Sequence, residues 1–118
     1  MHELSIVQSV VASVTEWMSG QDVPGVRTVT LRLGALGGVV EDALQFCYGI
    51  ATEGTPLQGS RLQIEHQPVV IYCAHCHDLA ELPGVQSFRC PRCGTPSADI
   101  RRGRELEIES LEVEERAR

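Results

Sequence analysis

Two Cys-x-x-Cys pairs, Cys73-Ala74-His75-Cys76 and Cys90-Pro91-Arg92-Cys93, stand thirteen residues apart in a chain of 118. This spacing constrains the fold more than any other feature. Two intervening residues let one tight turn aim both sulfurs of a pair at a single point, and two such turns supply the four donors of a tetrahedral ion. Gly94, directly after the second pair, permits the turn and leaves backbone amides facing the thiolates. Four thiolates close the coordination sphere, so the site reads as structural zinc with no open position for catalysis. A redox dithiol and a rubredoxin-type iron share the spacing; zinc is the commoner occupant. His75 and His77 flank Cys76 and are read as surface groups or partners of the ligands, not as ligands. The fifth cysteine, Cys47, is read as a small buried hydrophobe.

The chain as a whole is ordinary globular material, 42% hydrophobic and 22% charged, with aromatics at 4%. Its core must therefore rest on Val, Leu and Ile. Leu4, Val7, Val11, Val14 and Met18 recur at spacings of three and four, with Val10 and Trp17 widening the stripe, which predicts a helix over 4–18 that ends at Gly20. Ser5 with Gln8 has the form of a capping box. Val26 to Leu33 alternates as a strand. Glu41 and Asp42 open a second helix through about Ala51, with Val40, Leu44, Cys47, Tyr48 and Ala51 on one stripe. Arg61 to Ile71 reads as a strand with Pro68 marking a bend or edge. Glu105 to Glu115 reads as a last strand whose parity shifts by one residue near Ser110, where a bulge fits.

These elements predict an α+β fold: a small three-stranded mixed sheet with two helices, plus an inserted zinc-ribbon module. Residues 69–95 form the module; residues 1–68 together with 96–118 form the body. Strand, helix, strand at the start favours a parallel pair for the first two strands.

The N-terminus carries a second metal pattern. In Met1-His2-Glu3 the α-amine of Met1, the amide nitrogen of His2 and its imidazole can close adjacent chelate rings, and Glu3 can complete a plane through its backbone or its side chain. Nitrogen-rich planar ligation suits Ni(II) or Cu(II). The bland reading of these residues is a solvated terminus. His66, between Glu65 and Gln67, is read as structural or exposed.

Net charge is −6, and all ten basic residues are Arg. That balance argues against electrostatic nucleic-acid binding over the whole surface. The rival reading, a zinc-ribbon module for nucleic-acid or protein interaction, draws on Arg89, Arg92, Arg101, Arg102 and Arg104, and the last three also read as a docking patch or a solvated turn. No Ser/His/Asp-like cluster points to an enzyme. No apolar stretch approaches the roughly 20 residues of a membrane span, no secretory signal is visible, and a cytoplasmic location is the expectation.

Taken together, Met1-His2-Glu3-Leu4-Ser5, the strand Val29-Thr30-Leu31-Arg32-Leu33-Gly34, the two cysteine pairs and the acidic last strand with Leu106-Glu107-Ile108 resemble the HypA/HybF family of nickel-insertion accessory proteins for [NiFe]-hydrogenase. The resemblance covers essentially the whole chain. It implies a nickel domain from 1–68 and 96–118 and a zinc domain between. It implies transient Ni(II) held by His2 with the Met1 amine and Glu3, and structural Zn(II) on Cys73, Cys76, Cys90 and Cys93. It also implies a HypB-type GTPase and the hydrogenase large subunit as partners, and no catalytic step.

Overall fold

The computed structural model describes residues 3–115. In chain order the elements are α1 (Glu3–Ser19), β1 (Val26–Gly34), a short 3-10 turn (Ala35–Gly37), α2 (Glu41–Ala51), β2 (Arg61–Gln67), β3 (Val70–Cys73), β4 (Asp78–Glu81), β5 (Ile100–Arg102) and β6 (Leu106–Val113). They form two three-stranded sheets, one in the order β2-β1-β6 and one in the order β4-β3-β5. The first sheet and the two helices are the expected α+β architecture. Backbone bonds from Gly34 to Glu105 (2.7 Å) and from Glu114 to Gly25 (2.9 Å) run β6 antiparallel to β1. With β2 reached by the crossover through α2, the sheet is mixed.

The chain divides into two compact units. The first takes Met1–Leu31, Val39–Ile64 and Ile108–Arg118; the second takes Arg32–Gly38 and Glu65–Glu107.

In the first unit α1 packs on α2. The expected stripe of α1 buries Val7, Val10, Val11 and Val14, while its outer members Leu4 and Trp17 stay exposed. The helix already includes Glu3, so Ser5 lies inside the first turn and is not its cap. Leu44 and Tyr48 of α2 are buried together with Val26, Val29, Leu31, Leu57 and Leu62. Each such side chain contributes about 1.5–3 kcal/mol, which is how β-branched residues of modest helix propensity are held in α1. Polar ties complete the packing. The Gln45 amide donates to the Leu62 carbonyl at 2.8 Å, and the Tyr48 hydroxyl meets Ser60 Oγ at 2.6 Å. Cys47 is only half-buried, at the edge of the stripe, not within the core.

The second unit corrects one strand. Arg61–Ile71 is two strands, β2 ending at Gln67 and β3 starting at Val70, in different sheets. Pro68 supplies the reason: it has no amide for a ladder and restricts Gln67 before it. Beyond the break Val69, Ile71 and Cys73 join Ala80, Leu82 and Cys90 in a buried cluster, flanked by Leu36, Phe88 and Ile100. The cysteine-bearing stretch therefore has a small core of its own. On β6 the buried phase changes between Ile108 and Leu111, matching the parity shift near Ser110. Among the described residues no helix is long and apolar enough to cross a membrane.

Candidate metal centre

Strands β3 and β4 form a hairpin in which Cys73 lies opposite Asp78. Its turn is the first cysteine pair. The second pair is folded by a backbone bond from Gly94 to the Cys90 carbonyl (2.8 Å) and one from Cys90 to the Thr95 carbonyl (2.9 Å), and Arg89 bridges to Pro96 just outside. The two turns bring the Sγ atoms of Cys73, Cys76, Cys90 and Cys93 within 4.8 Å of one another. Cys73 Sγ is 3.5 Å from Cys93 Sγ, and Cys76 Sγ is 3.9 Å from Cys90 Sγ. A zinc ion with bonds of about 2.3 Å in a tetrahedron sets sulfurs about 3.8 Å apart. The observed separations straddle that value and are far longer than the roughly 2.05 Å of a disulfide. Donor type, number and spacing fit a structural zinc site.

Burial is graded across the site. Cys73 and Cys90 are enclosed by the apolar cluster, Cys76 is half-buried and Cys93 is exposed. The amide of Cys76 donates to Cys73 Sγ at 3.4 Å, the bond that a tight two-residue turn offers a thiolate. Cys93 Sγ lies 3.2 Å from Thr95 Oγ1. The Thr95 hydroxyl, then the Thr95 amide, hold the Cys93 thiol down to about 5. Its contact with Cys93 chiefly pushes Cys76 up to about 12. Cys90 is lowered, mainly by the backbone amide of Arg92. Four thiols this close cannot all ionise by themselves, because each added negative charge penalises the next. A divalent cation removes that penalty and lets all four bind as thiolates.

Three supporting residues were not legible in advance. Arg92 donates to Asp78 Oδ2 (3.4 Å) and to the Leu79 carbonyl (3.0 Å), so it ties the second turn to β4 of the first hairpin. Thr95 sits beside Cys93 as described. His77 occupies the position that Gly94 holds after the other pair: both follow a second cysteine, and both have positive φ, 55° and 78°. Histidine is among the few non-glycine residues that enter this region with some frequency. The repeated Cys-x-x-Cys-His/Gly pattern was the available clue. His75 and His77 are exposed and lie outside the sulfur cluster, as surface residues.

At the other candidate site, Met1 and His2 lie outside the described residues. Glu3 opens α1, and its Oε2 accepts a bond from the Val40 amide at 3.2 Å. Val40 is the residue that opens α2 and has no side-chain cap of its own. His66 borders a separate hollow of about 280 Å³ with Ala35, Pro68, Leu82 and Pro83. Neither His66 nor Cys47 belongs to the thiol cluster.

Fold and centre together define a small α+β protein with a closed four-cysteine site of the structural-zinc kind. Residues 1–113 match the family described as hydrogenase/urease nickel incorporation, metallochaperone, HypA. The hydrogenase maturation factor HypA of Chloroflexus aurantiacus is 47% identical over 113 residues, covering 96% of this chain and 99% of its own. That of a Roseiflexus species is 46% identical over 115 residues, covering 98% and 94%. The chain belongs to the HypA family of nickel-incorporation metallochaperones for hydrogenase maturation. The fold is also that of the Ni metallochaperone HypA from Helicobacter pylori, with a TM-score of 0.66 at 21% identity over 96% of this chain and 97% of that one.

Proposed function

We propose that this chain takes up Ni(II) at its N-terminus and delivers it during maturation of [NiFe]-hydrogenase, as a carrier and not a catalyst. The Met1 amine, the amide and imidazole of His2, and Glu3 form the nickel site; Cys73, Cys76, Cys90 and Cys93 hold structural zinc. In this reading residues 1–68 with 96–118 serve nickel, and residues 69–95, which include all four cysteines, serve zinc. A HypB-type GTPase and the hydrogenase large subunit are its partners, in the cytoplasm.

The observation that carries the proposal, beyond family membership, is the Glu3 contact. One oxygen of the Glu3 carboxylate is engaged by the amide that starts α2. The side chain thereby ties the beginning of α1 to the start of α2, and in this reading the Glu3 backbone amide completes a plane of nitrogens. Terminal ligands of this kind detach one at a time, which suits a cargo site, whereas the enclosed Cys73 and Cys90 suit a resident ion.

The test is nickel titration of untagged, zinc-loaded protein beside His2→Ala and a variant with a blocked amine. Wild type should take about one Ni(II) per chain, and both changes should weaken uptake at least tenfold, the loss of one or more chelate rings from a nitrogen-rich site. Equal affinity in His2→Ala defeats the assignment.

A further inference from the structure

The segment 100–105 carries a concentration of positive charge on a chain whose net charge is −6. Its shape comes from two local features. In the pairing of β3 with β5, Val70 faces Arg102 and Ile71 faces Ile100, so Arg101 is an extra residue on β5. Such a bulge re-aims a side chain. Here the Arg101 guanidinium lies over the Tyr72 ring, 4.9 Å from its centroid, and makes two bonds to Asp99 of 2.7 and 2.9 Å. Its charge is already answered. Next, Gly103 is buried at a φ of 121°, and its carbonyl accepts the Leu36 amide at 2.8 Å. Arg102 and Arg104 bracket this pinned glycine and are both exposed. Among the described residues the guanidinium of neither has a hydrogen-bond or ion-pair partner. Together with Ile100, Arg101 and Glu105 they line a hollow of about 240 Å³.

We propose that this face is a docking site for a carboxylate-rich segment of a partner protein, with Arg102 and Arg104 as its two recognition groups. Guanidinium forks match carboxylates in geometry as well as charge. An extended acidic peptide fits better than a phosphate group. The Gly103 amide, a backbone donor within the loop, is occupied by Glu105 Oε1 at 2.8 Å. The Glu105 carboxylate also stands in the wall of the hollow, where it repels a compact multiply charged anion while separate carboxylates can reach the two arginines on either side. The fixed Arg101 side chain and the buried Gly103 hold the backbone that carries the pair before any partner arrives, which lowers the ordering cost of association.

The experiment is an amide-resolved NMR titration of the full zinc-loaded chain with acetylated hexaglutamate, and in parallel with tripolyphosphate. Hexaglutamate should shift the amides of residues 100–105, with binding that weakens as salt rises. Arg102→Glu/Arg104→Glu and Arg102→Gln/Arg104→Gln should each weaken it at least tenfold. Arg27→Glu/Arg61→Glu, which makes the same change in net charge at two other exposed arginines, should leave it within twofold. Amide dispersion and zinc content report whether each variant is folded, and the neutral pair stands in if the reversed pair is not. The proposal is overturned if tripolyphosphate shifts these amides and hexaglutamate does not, if neither does, or if the two control arginines matter as much. Nickel uptake by the same variants should be unchanged, so the outcome is independent of the N-terminal assignment.

Discussion

Of the described glycines, Gly34, the last residue of β1, leaves the least room for a side chain. A Cβ placed there would sit 2.2 Å from the Gly103 carbonyl oxygen and 2.6 Å from the Arg104 amide nitrogen. Both obstacles are backbone, so no side-chain rotation relieves them. The conformation of Gly34 itself is unremarkable, with φ −77° and ψ 146°, which alanine adopts freely. The cost of Gly34→Ala is thus one of space alone. Separating the strands enough to admit a methyl group breaks the bonds from Gly34 to Glu105 (2.7 Å) and from Leu36 to Gly103 (2.8 Å). It also disturbs the contact between the Gly103 amide and Glu105 (2.8 Å). At about 1 kcal/mol net for each, more where a buried group is left unsatisfied, the loss is about 3–4 kcal/mol. That is a large share of the roughly 5–15 kcal/mol available to a domain. Gly38→Ala is the matched comparison. Gly38 has φ 64° but nothing within 4 Å of an added Cβ, so its cost is conformational only, about 1–2 kcal/mol. Urea unfolding of the zinc-loaded protein followed by circular dichroism should rank Gly34→Ala well below Gly38→Ala. If Gly34→Ala costs less than 1 kcal/mol, or less than Gly38→Ala, the close approach does not constrain the fold and the argument fails.

Two further outcomes are expected. At His77, whose φ is 55°, glycine should be tolerated or raise stability by about 1 kcal/mol, while valine should lower it by at least as much because its branched Cβ suits this region worst; thermal melts of both zinc-loaded variants decide, and a valine variant as stable as wild type contradicts the backbone reading. The Arg101 guanidinium holds the Asp99 carboxyl below the usual carboxylate range. The contribution of that pair is therefore present above the unfolded value of about 3.9 and is lost as pH falls through the lower folded value. In Arg101→Gln the Asp99 titration followed by NMR should move up toward the ordinary range, and an unmoved Asp99 shows that the ion pair is not what lowers it.

Residues whose role follows from local pattern were legible in advance. The valines of α1 recur at helical spacing and are buried; Val29 and Leu31 alternate and are buried; the cysteine pairs converge because two-residue turns leave little alternative. What escaped depends on contacts between distant parts of the chain. Leu106 alternates with Ile108 as a core residue would, but its exposed position on β6 cannot be read from its neighbours. Val70 and Ile71 follow closely on β2 in sequence, and only their pairing with Glu81 and Ala80 assigns them to another sheet, although Pro68 marked where the change occurs. Gly34 and Gly103 are 69 positions apart, so nothing local announces that one excludes a side chain because of the other. Arg92 reads as a surface charge until Asp78 and the Leu79 carbonyl are brought beside it by the hairpin.

The thiol site gains most when its energetics are set against the small core beneath it. Val69, Ile71, Ala80 and Leu82 bury enough apolar surface to favour the β3–β4 hairpin, but a few such residues are not a self-sufficient core. Cys73 and Cys90 belong to that core, so their sulfurs face apolar neighbours on one side and the other thiols on the other. With Cys93 held down, chiefly by Thr95, and Cys76 pushed up, chiefly by its contact with Cys93, the cluster tolerates some negative charge and resists more. That is an unfavourable arrangement for a folded state with no cation and a favourable one with it. Metal binding and folding of the sulfur-bearing turns are then linked. Removing the ion should cost this unit its sulfur-bearing turns first, since Cys93 is exposed and Arg92 ties its turn to the hairpin by exposed hydrogen bonds, and should leave the first unit with the buried valines of α1 and the Leu44 and Tyr48 contacts of α2 intact.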